Sequence, residues 1–242
     1  NKVRCLTIMY AIDVSTSVQA LQQKVSNLAV SQRQEWSGNV VNVGLRYKHW
    51  KRNQDKKNQK PTLLFMAGIW QQTTQRVDYV INLRGLGVLL EAGKYLSKKG
   101  VKLIIAAPLF SSEQCRHYLY SHPLNTWSET SISLLYEVAV PDIYSMADIF
   151  VFPYQNEATQ FIPSSVIESM LSGTCVAMSD LNFLKPLSQN GKTAYVFPSN
   201  DAEIMSEILL EALNNLEDRQ YKEKNAKKYA VDNWTIEASV KQ

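Results

Sequence analysis

The chain has 242 residues, 45% of them apolar, and 26 Lys and Arg against 22 Asp and Glu leave a formal net charge of +4. That length can bury one large domain, or one domain with part of another, while so mild a charge does not point to nucleic acid, which calls for a basic face on a recognisable module. Cys5, Cys115 and Cys175 are scattered without metal or redox spacing, and neither a signal peptide nor a bilayer-spanning apolar run is evident, so the expected location is cytoplasmic, with at most peripheral membrane contact.

In chain order, residues 3–10 read as a strand. Residues 17–36 read as a polar helix with Val18, Leu21, Val25 and Leu28 on one face, and 40–45 as a second strand. Two strands and a helix cannot cover both faces of a sheet, so the segment reads as an incomplete unit that runs into a linker. The linker, 48–60, is rich in Lys and Arg and precedes Pro61. A basic cluster gains about 1 kcal/mol per charge at an anionic lipid surface. With no apolar helix beside it, a solvated linker is the preferred reading.

From Pro61 strands and helices alternate. Strands are predicted at 62–67, 101–107, 147–152, 174–179 and 194–197. Helices are predicted at 84–99, 141–147, 183–187 and 201–216, the last with Met205, Ile208, Ala212 and Leu216 on its buried stripe. Between the strands at 147–152 and 174–179 lies a well-punctuated helix. Pro163 suits its first turn and Ser164 or Ser165 its cap; Val166, Ile167, Met170 and Leu171 form its apolar stripe, and Gly173 its stop. The pattern predicts an α/β, doubly wound, Rossmann-like parallel sheet from residue 61 onward.

Such a helix start offers unpaired N–H groups and a partial positive charge to a phosphate, at the strand ends where open α/β sheets bind ligands. Glu168, one turn in and on the polar side, is placed to accept hydrogen bonds from a ribose. The plain alternative is an ordinary βαβ unit with a solvated glutamate, which pattern alone favours. His49, His117 and His122 form no metal pair, and no Gly-x-Ser-x-Gly elbow, Walker sequence or full Gly-x-Gly-x-x-Gly turn occurs.

Residues 150–180 resemble the signature region of retaining GT-B glycosyltransferases of the family 4, or group 1, type. There a strand ending in Pro leads to a Glu-x7-Glu element and a helix reading Glu-Ala-Met-x-x-Gly-x-Pro-Val. The corresponding text is Glu168-Ser169-Met170-Leu171-Ser172-Gly173-Thr174-Cys175-Val176. The resemblance implies that Glu168 holds the nucleotide ribose. The sugar-side glutamate falls on Gln160, with Glu157 nearby, so that carboxylate is either replaced by an amide or supplied from a shifted loop. Arg84-Gly85-Leu86-Gly87-Val88-Leu89-Leu90-Glu91-Ala92 resembles the family's Lys-Gly-x-x-x-Leu-Leu-x-Ala, which gives Arg84 the donor diphosphate. Gly68 matches the Gly of the family's Gly-Arg, although Ile69 and Trp70 follow it. Residues 187–201 resemble a family turn, 228–237 the family's terminal helix and tail, which packs on the N-terminal domain, and 1–60 the end of that acceptor domain plus a basic linker, so the resemblance implies a nucleotide-sugar domain over 61–227 and a tail helix over 228–242.

The resemblance thus implies the C-terminal, donor-binding half of a metal-independent retaining glycosyltransferase. It would move a sugar from a nucleotide-diphosphate sugar to a glycan, lipid or protein acceptor, with an N-terminal domain or partner chain completing it. Arg84, Ser164 and Ser165 would meet the diphosphate, Glu168 the ribose, and the loop with Glu157, Gln160, Phe161 and Ile162 the sugar. The competing reading is a non-catalytic, glycosyltransferase-like subunit that binds a partner or glycan. An epimerase or phosphorylase-like relative has less support.

Overall fold

The computed structural model describes residues 60–67, 79–107, 119–128, 131–136, 143–144, 146–157 and 162–235. The strands, helix and linker expected within 1–59, together with Gly68, Gln160 and Phe161, lie outside them.

Six strands form one parallel sheet in the order β3-β2-β1-β4-β5-β6: β1 Thr62–Met66, β2 Lys102–Ala107, β3 Ile132–Tyr136, β4 Ile149–Phe152, β5 Cys175–Ser179 and β6 Tyr195–Phe197. The order reverses between β1 and β4, whose pairing runs through Leu63 with Ile149 and Leu64 with Phe150. This is the doubly wound arrangement expected from the alternating pattern. β3 is an addition, because an edge strand of five residues after an irregular stretch carries little periodic signal.

Among the described residues six α-helices accompany the sheet: α1 Leu86–Glu91, α2 Gly93–Leu96, α3 Ser164–Ser172, α4 Lys185–Ser188, α5 Ala202–Asn214 and α6 Leu216–Trp234. Alternation along the strands divides the core into two layers. Leu63, Phe65, Val151 and Ala177 pack with α1, α2 and α5, whereas Leu64, Phe150, Val176 and Met178 pack with α3, α4 and α6.

Several boundaries differ from the sequence reading, each for a visible reason. The helix predicted over 84–99 is α1 and α2 with a final tighter turn, Ser97–Lys99. Trp127 donates its Nε1–H to the Leu89 carbonyl at 2.8 Å, and Thr126 donates its hydroxyl to the Leu90 and Glu91 carbonyls at 2.9 and 3.1 Å. Donors from a neighbouring loop thus occupy the acceptors that a continuous helix needs at this point. α5 ends at Asn214 because Asn215 caps α6, its side chain accepting from the Asp218 N–H at 3.1 Å. Leu216 therefore starts the next helix, 42% exposed, instead of closing the buried stripe of α5. One continuous helix, α6, crosses the 227/228 position at which the sequence reading separates a tail.

At the start of α5, Asp201 accepts from the Ile204 N–H at 2.9 Å. Asp201→Ala is expected to destabilise the domain by about 1 kcal/mol, read as a lower urea midpoint at unchanged slope. At the amino ends of the strands the Asp148 carboxylate accepts from the Thr62 N–H at 2.9 Å and lies 3.5 Å from the buried Arg219 of α6. That contact closes the sheet opposite to the ligand side.

Candidate functional site

The carboxyl ends of β1 and β4 frame a crevice at the point where the strand order reverses, the usual ligand site of an open α/β sheet. Arg84 and Gly85, just before α1, reach it from the β1 side. Pro153, Tyr154 and Gln155, just after β4, reach it from the other. The two sides are fastened together. Gln155 donates its N–H to the Leu83 carbonyl at 2.9 Å and its side-chain amide to the Pro153 carbonyl, and its Oε1 accepts from the Asn200 N–H at 2.8 Å. Gln155 is therefore a buried clasp between three loops.

Gly85 has φ 76° and ψ 20°, in the left-handed region. A Cβ added there would lie 1.6 Å from the Pro153 carbonyl oxygen and 2.6 Å from the Gln155 Nε2. Only glycine lets α1 begin this close to the β4 loop.

Arg84 sits half-buried before α1, not within a helix as the sequence reading had it. Its Nη1 donates to the Ala67 carbonyl at 2.8 Å, and its guanidinium lies 5.5 Å from the centre of the Tyr79 ring. Its Nε is buried without a hydrogen-bond partner. Tyr79 and Tyr154 approach through their hydroxyls at 3.4 Å, and Tyr154 stacks on Phe152 with ring centres 4.3 Å apart. Burial pushes the Tyr154 hydroxyl up to about 12, against a smaller downward pull from Arg84. The guanidinium is thus a fixed positive charge held by aromatic walls and a strand-end carbonyl.

On the other side of the crevice stands α3. Pro163 has φ −74° and ψ 125°, so it is the capping residue, and Ser164 and Ser165 occupy the first two helical positions without a side-chain cap. Neither serine caps the helix as expected, because the extended Pro163 already fixes the entry of the chain. The N–H groups of Ser164 and Ser165 have no intrahelical acceptor by helix geometry. Ile162, half-buried, packs beside the α3 layer of the core. At the far end Gly173, φ 78°, stops the helix, with its N–H on the Met170 carbonyl and the Thr174 N–H on the Ser169 carbonyl, both at 3.1 Å. The expected glycine stop is in place.

Glu168 lies half-buried on α3, one turn from its start. Its Oε2 accepts from the Tyr144 hydroxyl at 3.1 Å. Burial raises the carboxyl above its ordinary value, and the Tyr144 and Ser164 hydroxyls pull it back. Tyr144 itself is fully buried, with its hydroxyl held far up by burial and by the Glu168 charge. Nothing in the sequence marked Tyr144, whose segment read only as a short helix. Gln155 was missed too; a polar side chain directly after a strand-ending Pro-Tyr was its one available signal.

Glu157 is exposed, and its Oε1 accepts from the Asn182 N–H at 2.6 Å. This carboxylate therefore holds the turn after β5. Among the described residues no group of three or more His, Cys, Asp or Glu is gathered as metal ligands, and no helix is long and apolar enough to cross a membrane.

Sheet order and helix placement define an α/β protein of Rossmann-like fold, in which α3 with Glu168 follows β4 and Arg84 precedes α1. The chain belongs to the family of the group 1 glycosyl transferases, whose family model matches residues 61–215. Among solved structures it is similar to a glycosyltransferase from Rickettsia africae at 13% identity and TM-score 0.59, covering 81% of this chain and 49% of that one. Sucrose-phosphate synthase from Thermosynechococcus elongatus gives 14% and 0.60, covering 85% and 47%. Anabaena HepE, crystallised with UDP and glucose, gives 15% and 0.59, covering 86% and 54%. The chain therefore spans about half the length of these relatives, and the likeness establishes the GT-B type fold. No curated protein sequence matches it significantly.

Proposed function

We propose that the chain is the donor-binding half of a retaining glycosyltransferase that takes a nucleotide-diphosphate sugar and passes the sugar to a glycan, lipid or protein acceptor. The carrying observation is the Glu168 carboxylate, held by Tyr144 one turn into α3, on the helix that follows β4, while Arg84 is held on the Ala67 carbonyl just after β1. In this reading Glu168 accepts from the ribose hydroxyls. The Ser164 and Ser165 N–H groups and the Arg84 charge receive the diphosphate, and Ile162 borders the sugar. As the sugar bond breaks, negative charge grows on the departing diphosphate. Donors already fixed by α3 and by the Ala67 carbonyl stabilise that charge without reorganising. No metal is required for this role. The working location is cytoplasmic, at most peripheral to a membrane, with an acceptor domain supplied by the rest of the protein or by a partner.

One observation favours a second reading. The Glu157 carboxylate is already engaged by Asn182, so it does not stand free as a sugar-side group. A site that binds nucleotide without transferring sugar is the consequence if no other carboxylate replaces it.

Calorimetric titration with UDP, GDP and ADP tests the donor site, with UDP first because HepE, of like fold, is crystallised with UDP-glucose. One nucleotide is expected to bind saturably, and Glu168→Ala to abolish binding while remaining folded. If no nucleotide binds to a folded wild-type chain, the donor-site reading fails. Binding without transfer by the full-length protein selects the second reading.

A further inference from the structure

The geometry points to Tyr144 as a positioning residue for the donor site: its hydroxyl holds the Glu168 carboxylate in the orientation and ionised form that meets the nucleotide. This rests on the reading of Glu168 as the nucleotide carboxylate. Three observations converge on it. Tyr144 is completely buried and cannot itself meet a ligand, yet its hydroxyl donates to Glu168 Oε2 at 3.1 Å. Its backbone is clamped, since Thr174, directly after the α3 stop, donates its hydroxyl to the Tyr144 carbonyl at 2.8 Å. Its ring meets Phe150 of β4 edge-on, with centres 5.4 Å apart and planes at 89°. The hydroxyl therefore approaches Glu168 from a place fixed by the backbone clamp and the ring contact.

A half-buried carboxylate one turn into a helix can otherwise swing toward water. With Oε2 held by the Tyr144 hydroxyl, the carboxylate is already oriented before a ligand arrives. A tyrosine suits this task because its phenol is a donor, and burial and the Glu168 charge push its ionisation upward and keep its proton on.

Among the described residues, few other groups tune Glu168. Ser164, on the same helix, adds a second hydroxyl. β4 and β5 turn the apolar Phe150, Phe152, Val176 and Met178 toward the α3 layer. From α6, Lys227 passes the Gly173 end of α3, while Arg219, Lys222, Glu223 and Asp218 act on Cys175.

Tyr144→Phe keeps the ring, its edge-on contact and the backbone clamp, and removes only the donor. Two measurements are made on wild type and variant: nucleotide affinity from pH 5 to 8, and titration of the Glu168 carboxyl by carbon NMR in the free protein. A urea curve beside them reports any loss of fold. The variant is expected to stay folded and to bind nucleotide about 3- to 10-fold more weakly at pH 7, the equivalent of one ordinary hydrogen bond. Binding should weaken on acidification as Glu168 takes up its proton, and this limb should lie at higher pH in the variant, because the charged carboxylate has lost a donor. The ligand's own ionisation is common to both proteins and cancels. The Glu168 carboxyl should titrate higher in the variant.

A merely structural tyrosine would lower the urea midpoint and move neither the acid limb nor the carboxyl titration. Unchanged affinity and unchanged limb, with wild type binding normally, overturn the proposal and leave the donor site standing. If wild type binds no nucleotide, the donor-site reading fails and the positioning role falls with it, whatever the titration shows.

Discussion

Gly85→Ala is expected to cost the domain about 3 kcal/mol or more and to lower its melting temperature by roughly 6–12 °C. Two costs combine. The left-handed backbone at φ 76° charges any side chain about 1–2 kcal/mol. The added Cβ, 1.6 Å from the Pro153 carbonyl oxygen, must also drive the α1 start and the β4 loop apart. Overpacking of that kind adds about 1–3 kcal/mol. The backbone on both sides is the obstacle, so no rotamer change relieves it. Gln155 bonds to Leu83, Pro153 and Asn200 and would be displaced with the loop. Arg84, one residue before the substitution, would leave the Ala67 carbonyl, so nucleotide affinity should fall together with stability. Gly100→Ala is the control: its φ is 78°, yet nothing lies within 4 Å of the added Cβ, so it carries the backbone cost alone. Equal losses in the two variants would show that the close approach at Pro153 is unimportant.

The contrast between these glycines marks how far the sequence could be read. Arg84-Gly85 was legible as a motif, but its meaning was not: the requirement for glycine comes from Pro153, nearly seventy positions later in the chain. The α3 unit was legible almost whole because its signals are local. A strand-ending Pro, an apolar stripe and the Gly173 stop each act within a few residues. The site's remaining parts depend on contacts between distant segments. Tyr144 reaches Glu168 across 24 positions, Gln155 reaches Asn200 across 45, and Trp127 breaks the α1 helix across 38. A tyrosine in a short apolar segment looks the same from sequence whether its hydroxyl faces water or a carboxylate. Likewise Glu157 looked available until its partner Asn182, 25 positions later, was in place. The serines at 164 and 165 illustrate a competition between local rules: both are good caps, but the extended Pro163 takes the position first.

Glu168→Gln is expected to separate function from stability, weakening nucleotide binding by about 10- to 100-fold while making the empty protein slightly more stable at neutral pH. The first effect follows from charge. A carboxylate accepting from ribose hydroxyls contributes about 1.5–3 kcal/mol, and a neutral amide contributes less and presents an N–H group where an acceptor is needed. The second follows from burial, which raises the Glu168 carboxyl above its ordinary 4.5 and outweighs the opposing hydroxyls of Tyr144 and Ser164. Between the unfolded and the raised folded value the folded state binds more protons, so stability falls as pH rises through that window, and the loss persists in full above it. An amide removes this cost and can still accept from the Tyr144 hydroxyl. Because the side chain is half-exposed, solvent screening keeps the gain under about 1 kcal/mol. Urea denaturation of both proteins at pH 4 and pH 7 isolates the effect: the variant's advantage should be present at pH 7 and shrink at pH 4, where the wild-type carboxyl is protonated. Nucleotide titration at pH 7 should show the opposite ranking. A glutamate kept only for structure would lose stability on substitution and leave affinity unchanged. A carboxylate held at a cost in the empty protein, and repaid only when ligand arrives, is what a binding site requires.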